Sequence, residues 1–194
     1  DGAAKRELAR EGEILKSLHH KNINRFVEHA YFHDHPYLTY EYAWGKSLLQ
    51  ILCHLRANNK MLSEAYATLI GAELCKALQF AHQCRTKTFP GGILHKDLNP
   101  RNIVITFSGE VLLLGFGRKP PTINRANLHD YDFRSLVYLS PEQIHGEQYS
   151  IASETFTLGS ILYEMVTGTP PFMELSAAKV ANRIGNGIFE STEP

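Results

Sequence analysis

Asp97 and Asn102 share the segment His95-Lys96-Asp97-Leu98-Asn99-Pro100-Arg101-Asn102. The short turn between them sets a carboxylate and an amide on one rim. A carboxylate there can orient a hydroxyl and accept its proton. An amide oxygen can hold a hard cation such as Mg²⁺. Lys96 adds a positive charge beside the carboxylate. Other polar groupings carry less. His33 and His35 have a spacing that metal ligands use, but no third ligand is near in sequence, and they read as part of a polar turn, Asp34-His35-Pro36. Lys16, His19, His20 and Lys21 fall at the end of a helical pattern, where cations complement the helix dipole. Cys53, Cys75 and Cys84 are odd in number and lack CxxC spacing. That argues against a disulfide framework or a cysteine zinc site, and for a reducing, cytoplasmic setting.

The elements that must hold this loop are legible in part. Residues 3–18 carry Leu8, Glu11, Ile14, Leu15 and Leu18 at helical spacing. Segments 25–33 and 36–42 read as two strands, the second alternating and rich in tyrosine. A long helix is expected over 64–84, capped by Ser63, with Tyr66, Leu69, Ile70, Leu74, Ala77, Leu78 and Ala81 as its apolar stripe. Pro90-Gly91-Gly92 breaks the chain. Ile103–Ile105 and Val111–Leu114 flank Ser108-Gly109 as a hairpin. A helix over 153–167 turns Leu158, Ile161, Leu162 and Met165 inward, with Gly168 past its end and Pro170-Pro171 beyond. A weaker helix is expected over 176–184.

The chain has 194 residues, 43% of them hydrophobic, enough for one domain with a real core. Its 20 Lys and Arg balance its 20 Asp and Glu, which removes a general electrostatic grip on nucleic acid or an anionic membrane. No apolar run approaches the roughly 18 residues that a membrane span needs. The first residues are no signal peptide and start inside a helical pattern, as expected of a chain cut upstream.

His95–Asn102 resembles the catalytic loop of protein kinases, H-R-D-x-x-x-x-N. Leu114-Gly115-Phe116-Gly117 stands where that family has D-F-G. Tyr138-Leu139-Ser140-Pro141-Glu142 is similar to the A-P-E end of the activation segment. Ser153-Glu154-Thr155-Phe156 onward resembles the buried helix of the large lobe, followed by Thr167-Gly168-Thr169-Pro170-Pro171-Phe172. Four such motifs in this order cover essentially the whole chain. They look most like bacterial kinases of the eukaryotic type. The implied fold class is α+β: a protein-kinase-like fold, mainly the helical C-lobe with a partial N-lobe of helix C and two strands. The expected division is one incomplete domain over 1–194, with 1–42 as the N-lobe remnant and 43–194 as the C-lobe.

The resemblance implies ATP and Mg²⁺ as cofactors and a protein substrate or regulatory protein partner, with no nucleic acid and no membrane segment. Asp97 takes the place of the proton acceptor, Lys96 that of its arginine neighbour, and Asn102 that of an Mg²⁺ ligand. Glu41, Tyr42 and Ala43 match the hinge whose backbone binds adenine, after Tyr40 at the gatekeeper place. Val104 matches the apolar floor under adenine, and Glu11 the helix-C glutamate. Ser135 matches a hydroxyl that bonds the catalytic aspartate. Departures accompany these matches. Gly115 replaces the aspartate that is the principal Mg²⁺ ligand, Asn99 replaces a lysine, and Glu154 replaces the aspartate that ties down the catalytic loop. The Gly-rich loop and strand lysine are not in the sequence, so Glu11 is expected to be a solvated carboxylate. Glu142 is expected to lack its arginine partner. Open strand edges predict poor solubility or the need for a partner. The implied activity is phosphoryl transfer from ATP to protein hydroxyls, impaired by these losses. The alternative is a pseudokinase acting as a regulatory or scaffold module. A small-molecule phosphotransferase shares the loop but not the Ser-Pro-Glu segment. Thr122, Ser135 and Ser140 offer hydroxyls with nothing to single out a phosphosite.

Overall fold

The computed structural model describes residues 2–33, 35–117, 133–174 and 176–188. Thr122 and Asp34 lie outside the described residues.

The first helix, α1 (Gly2–Lys16), buries Ile14 and Leu15, with Leu18 following just past its end. It packs on an antiparallel pair, β1 (Phe26–Phe32) and β2 (His35–Tyr40). His33 turns between them at φ 44°. Backbone bonds stitch this front part to the rest. Asn24 N donates to Leu113 O at 3.0 Å, and Leu113 N donates to Asn22 O at 2.8 Å. The buried Asn22 side chain adds a bond to Val111 O at 2.9 Å.

A second sheet has the order β3-β4-β5: β3 (Gly45–Ser47), β4 (Ile103–Thr106) and β5 (Val111–Leu113). Gly45 is required here, because a Cβ would stand 2.2 Å from Ile105 O. The expected hairpin β4–β5 forms, with Val104 opposite Leu112.

Helices form the bulk of the remainder. Between β3 and the long helix lies α2 (Leu48–Ala57), which the apolar periodicity did not reveal. Its signal is the capping box Ser47…Gln50, in which each side chain bonds the other's backbone N–H. The long helix α3 (Glu64–Gln83) is capped by Ser63 and buries Ala67, Ile70, Gly71, Leu74, Ala77, Leu78 and Ala81. Tyr66 and Leu69 are exposed, 65% and 53%, so the buried stripe is narrower and starts at Ala67. A 3₁₀ turn (Pro100–Asn102) ends the polar loop. The short helices α4 (Phe133–Leu136) and α5 (Pro141–His145) precede α6 (Ile151–Thr167), which starts earlier than the pattern predicts because Ser150 caps it. Gly168 ends α6 in the left-handed conformation at φ 81°. The last helix is α7 (Ala177–Gly185).

α3 and α6 pack on each other at the centre. One apolar cluster runs from Ile14 of α1 through Leu74, Phe116 and Ile161 to Ile184 of α7. Phe172, beyond α6, is fully buried and stacks on Phe156 with centroids 5.6 Å apart. Val27, Tyr31 and Phe32 on β1 stay exposed.

Candidate active site

The loop before β4 is held from below by α6. Glu154 is 0% exposed, and each of its oxygens has partners. Oε1 accepts from Lys96 N at 3.0 Å and from Tyr149 OH at 3.0 Å. Oε2 lies 2.6 Å from His82 Nε2 on α3. Lys96 adopts φ 71°, a conformation unfavourable for a residue with a Cβ. The Glu154 bond to its N–H fixes that turn. Glutamate therefore performs the tie-down expected of an aspartate, and its extra methylene is accommodated between α3 and the loop. Burial, together with the Glu154 charge, pushes the Tyr149 hydroxyl pKa far above its usual range.

The loop folds onto Asp97. Asn102 Nδ2 donates to Asp97 O at 2.7 Å and to Oδ2 at 2.9 Å. Asn99 Nδ2 donates to Asp97 O and to Oδ1, each at 2.9 Å. Asn99 thus meets the carboxylate with an amide where the resemblance expects a lysine. Asn99 Oδ1 also accepts from Arg101 N at 2.9 Å, starting the 3₁₀ turn that delivers Asn102. His95 is fully buried and works as a strut. Its Nδ1 accepts from Asp97 N at 3.2 Å, its Nε2 bonds Leu114 O at 2.8 Å, and its ring lies 4.4 Å from that of Phe116.

Those contacts bring the Gly115 segment against the loop. Leu114 N donates to Asn102 O at 2.8 Å. Gly115 has φ 84°, and a Cβ there would lie 3.2 to 3.4 Å from the amide atoms of Asn102. Glu11 approaches from the other side. Its Cγ is 3.4 Å from where a Gly117 Cβ would be, and Tyr40 OH donates to its Oε1 at 3.2 Å. Glu11 is half-buried, not the solvated carboxylate expected from the lack of a lysine. The packing of α1 on β2 supplies the tyrosine instead.

The remaining sequence candidates spread along one side. Glu41 donates its N–H to Arg25 O at 2.9 Å and pairs with the Arg25 guanidinium at 3.2 Å, both side chains being exposed. Ala43 makes no backbone hydrogen bond among the described residues, leaving its N–H and C=O open. Val104 is buried in the middle of β4. Ser135 lines the same cavity as Asp97 but is exposed on α4 and makes no hydrogen bond to Asp97. Glu142 accepts a hydrogen bond from Ser153 Oγ, so α6 supplies it with a partner where the family pattern has an arginine. Lys21 lies past the end of α1 and pairs with Glu73 of α3 at 3.1 Å, not with a helix dipole. His35 Nδ1 bonds His33 O at 2.8 Å within their own turn.

Arg56 and Glu164 escaped the sequence reading. Glu164, buried on α6, accepts from Arg56 Nη2 at 2.9 Å and from Tyr138 OH at 2.5 Å. Burial pushes its pKa up, while Tyr138 and Arg56 pull it back. Arg56 comes from α2, so the same capping box that marks α2 was the available signal.

The sequence profile of the protein kinase domain matches residues 1–193. The chain belongs to the protein kinase family. This kinase chain is 30% identical over 186 residues to Aurora kinase C of Mus musculus, covering 95% of the chain and 62% of that protein. It is 33% identical over 175 residues to Aurora kinase of Schizosaccharomyces pombe, with 88% and 44% coverage. A probable serine/threonine-protein kinase PknB of Lactococcus lactis matches at 31% over 182 residues, with 93% and 27% coverage. The chain thus spans less than two thirds of these relatives' length. No helix among the described residues is long and apolar enough to cross a membrane.

Protein kinases use ATP and Mg²⁺. Mg²⁺ demands near-octahedral oxygen ligands and usually takes one or two carboxylates. Gly115 supplies none, and no group of three His, Cys, Asp or Glu side chains that could hold a metal exists among the described residues. At position 115 the residue present does not fit the family's metal site.

Proposed function

We propose that this kinase chain keeps the hydroxyl-facing half of a serine/threonine kinase site and has lost the metal-facing half. The observation that carries the reading is Gly115, packed against the Asn102 amide with no carboxylate to offer. In this reading Asp97 is the proton acceptor, oriented by Asn99 and Asn102, and Lys96 holds the turn. Ala43 and the Glu41 carbonyl meet adenine over Val104, and Glu11 closes the inner wall. Losing one preorganised charge-stabilising group costs about 3–4 kcal/mol, roughly 10²–10³ in rate. Phosphoryl transfer from ATP to a protein hydroxyl is then weak. Residues 1–42 form the front part of the site and 43–194 the large lobe. The balance of the cysteines fits work in the cytoplasm.

Thermal unfolding with and without ATP, each with and without Mg²⁺, tests this. A ligand that binds only the folded state raises the midpoint. The expected result is a shift with ATP that Mg²⁺ does not enlarge. A shift needing both, joined to phosphoryl transfer that Asp97→Asn abolishes, would show an intact metal site and sink the reading. The second reading, a pseudokinase serving as a binding module, is favoured by the complete bonding of Glu154. The loop scaffold persists without the metal ligand.

A further inference from the structure

The segment after α3 runs back along α1. Cys84 Sγ donates to Ser17 O at 3.4 Å, just past the end of α1. Phe89 then lies under Arg10, whose guanidinium carbon is 5.7 Å from the ring centroid. Ser17 and Arg10 are about 10 Å apart along the helix, and Arg85 and Lys87 fall between the two contacts in sequence. A turn closes over 86–89: Thr86 N donates to Phe89 O at 3.2 Å, and Phe89 N donates to Thr86 Oγ1 at 3.0 Å. Lys87 is at its tip. On α1, Arg6 and Arg10 are four positions apart and share a face. Arg6, Arg10, Arg85 and Lys87 are all exposed, and none has an ion pair among the described residues. The Phe89 contact leaves the Arg10 charge in place. Residues 84–94 contain no acidic side chain. The exposed carboxylates described on α1 are Glu7, beside Arg6, and Glu13, which Lys16 already holds at 3.0 Å. Four cations against Glu7 leave a surplus of positive charge on a chain whose net charge is zero.

We propose that Arg6 and Arg10 of α1 and Arg85 and Lys87 of the adjoining segment form one docking surface for a carboxylate-rich segment of a protein partner. The composition of the surface selects that class. None of the large apolar side chains exposed among the described residues lies on α1 or in 84–92, so the surface offers no anchor for a bilayer and no exposed ring for a base. Charge is what it presents, and arginine pairs with carboxylates through a planar fork. An acidic segment lying across both elements clamps α1 to the chain that follows α3. None of the four cations lines the cavity beside Asp97, so this docking is independent of the reading of that cavity.

The test is fluorescence anisotropy of the full chain with labelled peptides of equal length, rich in Glu, in Gln or in Lys. The Glu-rich peptide is expected to bind about tenfold tighter than the Gln-rich one, losing affinity as salt rises, with the Lys-rich peptide weakest. Arg6→Glu on α1 and Lys87→Glu on the turn should each weaken the Glu-rich peptide about tenfold. Lys46→Glu, the same charge change on an exposed β3 residue, should leave it unchanged. Should a reversal fail to melt cooperatively, Arg6→Gln or Lys87→Gln gives the same ranking with a smaller loss. Equal binding of the Glu-rich and Gln-rich peptides, or an equal loss from Lys46→Glu, would overturn the proposal. A loss from only one of the two reversals would show that the elements do not act as one surface, and would overturn it too. So would tighter binding of a single-stranded RNA or of phosphatidylserine vesicles than of the Glu-rich peptide.

Discussion

Two substitutions beside the catalytic loop have opposite outcomes. Beneath the loop, Glu154 stands where the family pattern has aspartate, and its carboxylate still reaches Lys96 N, with Tyr149 and His82 as further partners. Above the loop, Gly115 stands where the pattern has aspartate, and it offers no carboxylate of its own. The backbone there is nonetheless in place, tied by Leu114 to His95 and Asn102. A buried structural carboxylate tolerates an added methylene because packing can shift around it. A ligand role needs the charge itself, and no rearrangement of neighbours restores a deleted group. Position and chemistry are thus separable at this site.

Glu154→Ala should show the largest effect. It leaves His82, Tyr149 and the strained Lys96 turn without their shared acceptor. Removing one member of such a buried network costs about 3–5 kcal/mol, readable as a lower urea midpoint. A loss under about 1 kcal/mol would mean the network is not what holds the loop. Tyr149→Phe removes one hydroxyl donor to that carboxylate and should cost about 1.5–3 kcal/mol. Its melt should still be cooperative.

Gly115→Asp addresses the other side. A side chain at φ 84° beside Asn102 should cost about 1–2 kcal/mol. The same variant should gain an Mg²⁺-dependent stabilisation by ATP that the parent lacks. Destabilisation without that gain would mean more than Gly115 separates this site from a working metal centre. The smallest effect is expected at Glu73 on α3. Lys76 and Lys21 hold its carboxyl at about 2, below the ordinary 4.5. A lowered pKa contributes stability above the ordinary value and loses it as pH falls toward 2. Melts of the parent and Glu73→Gln should therefore differ slightly at pH 6, converge at low pH, and converge in high salt.

Much of this was legible in the chain. The hairpin β4–β5, the Ser63 and Gly168 caps and the loop from His95 to Asn102 are local. Hydrogen bonds between near neighbours fix them, and residue types announce them. The apolar stripe of α3 was legible only in part. Tyr66 and Leu69 share its helical period, but the buried face begins at Ala67. The α2 helix was missed because its apolar residues form one dense run, while its capping box is the clearer mark.

The sequence by itself determined which groups are present: a carboxylate and an amide across a short turn, and a glycine where the family pattern has a carboxylate ligand. Only the tertiary structure decided what those groups do. That Glu154 reaches Lys96 depends on α6 lying under a loop 58 positions earlier in sequence. That Tyr40 meets Glu11, and that Arg56 meets Glu164, depends on elements far apart along the chain. Contacts of this kind leave no periodicity or spacing to read. Their geometry follows from how helices and sheets share one core, not from the neighbours of any residue along the chain.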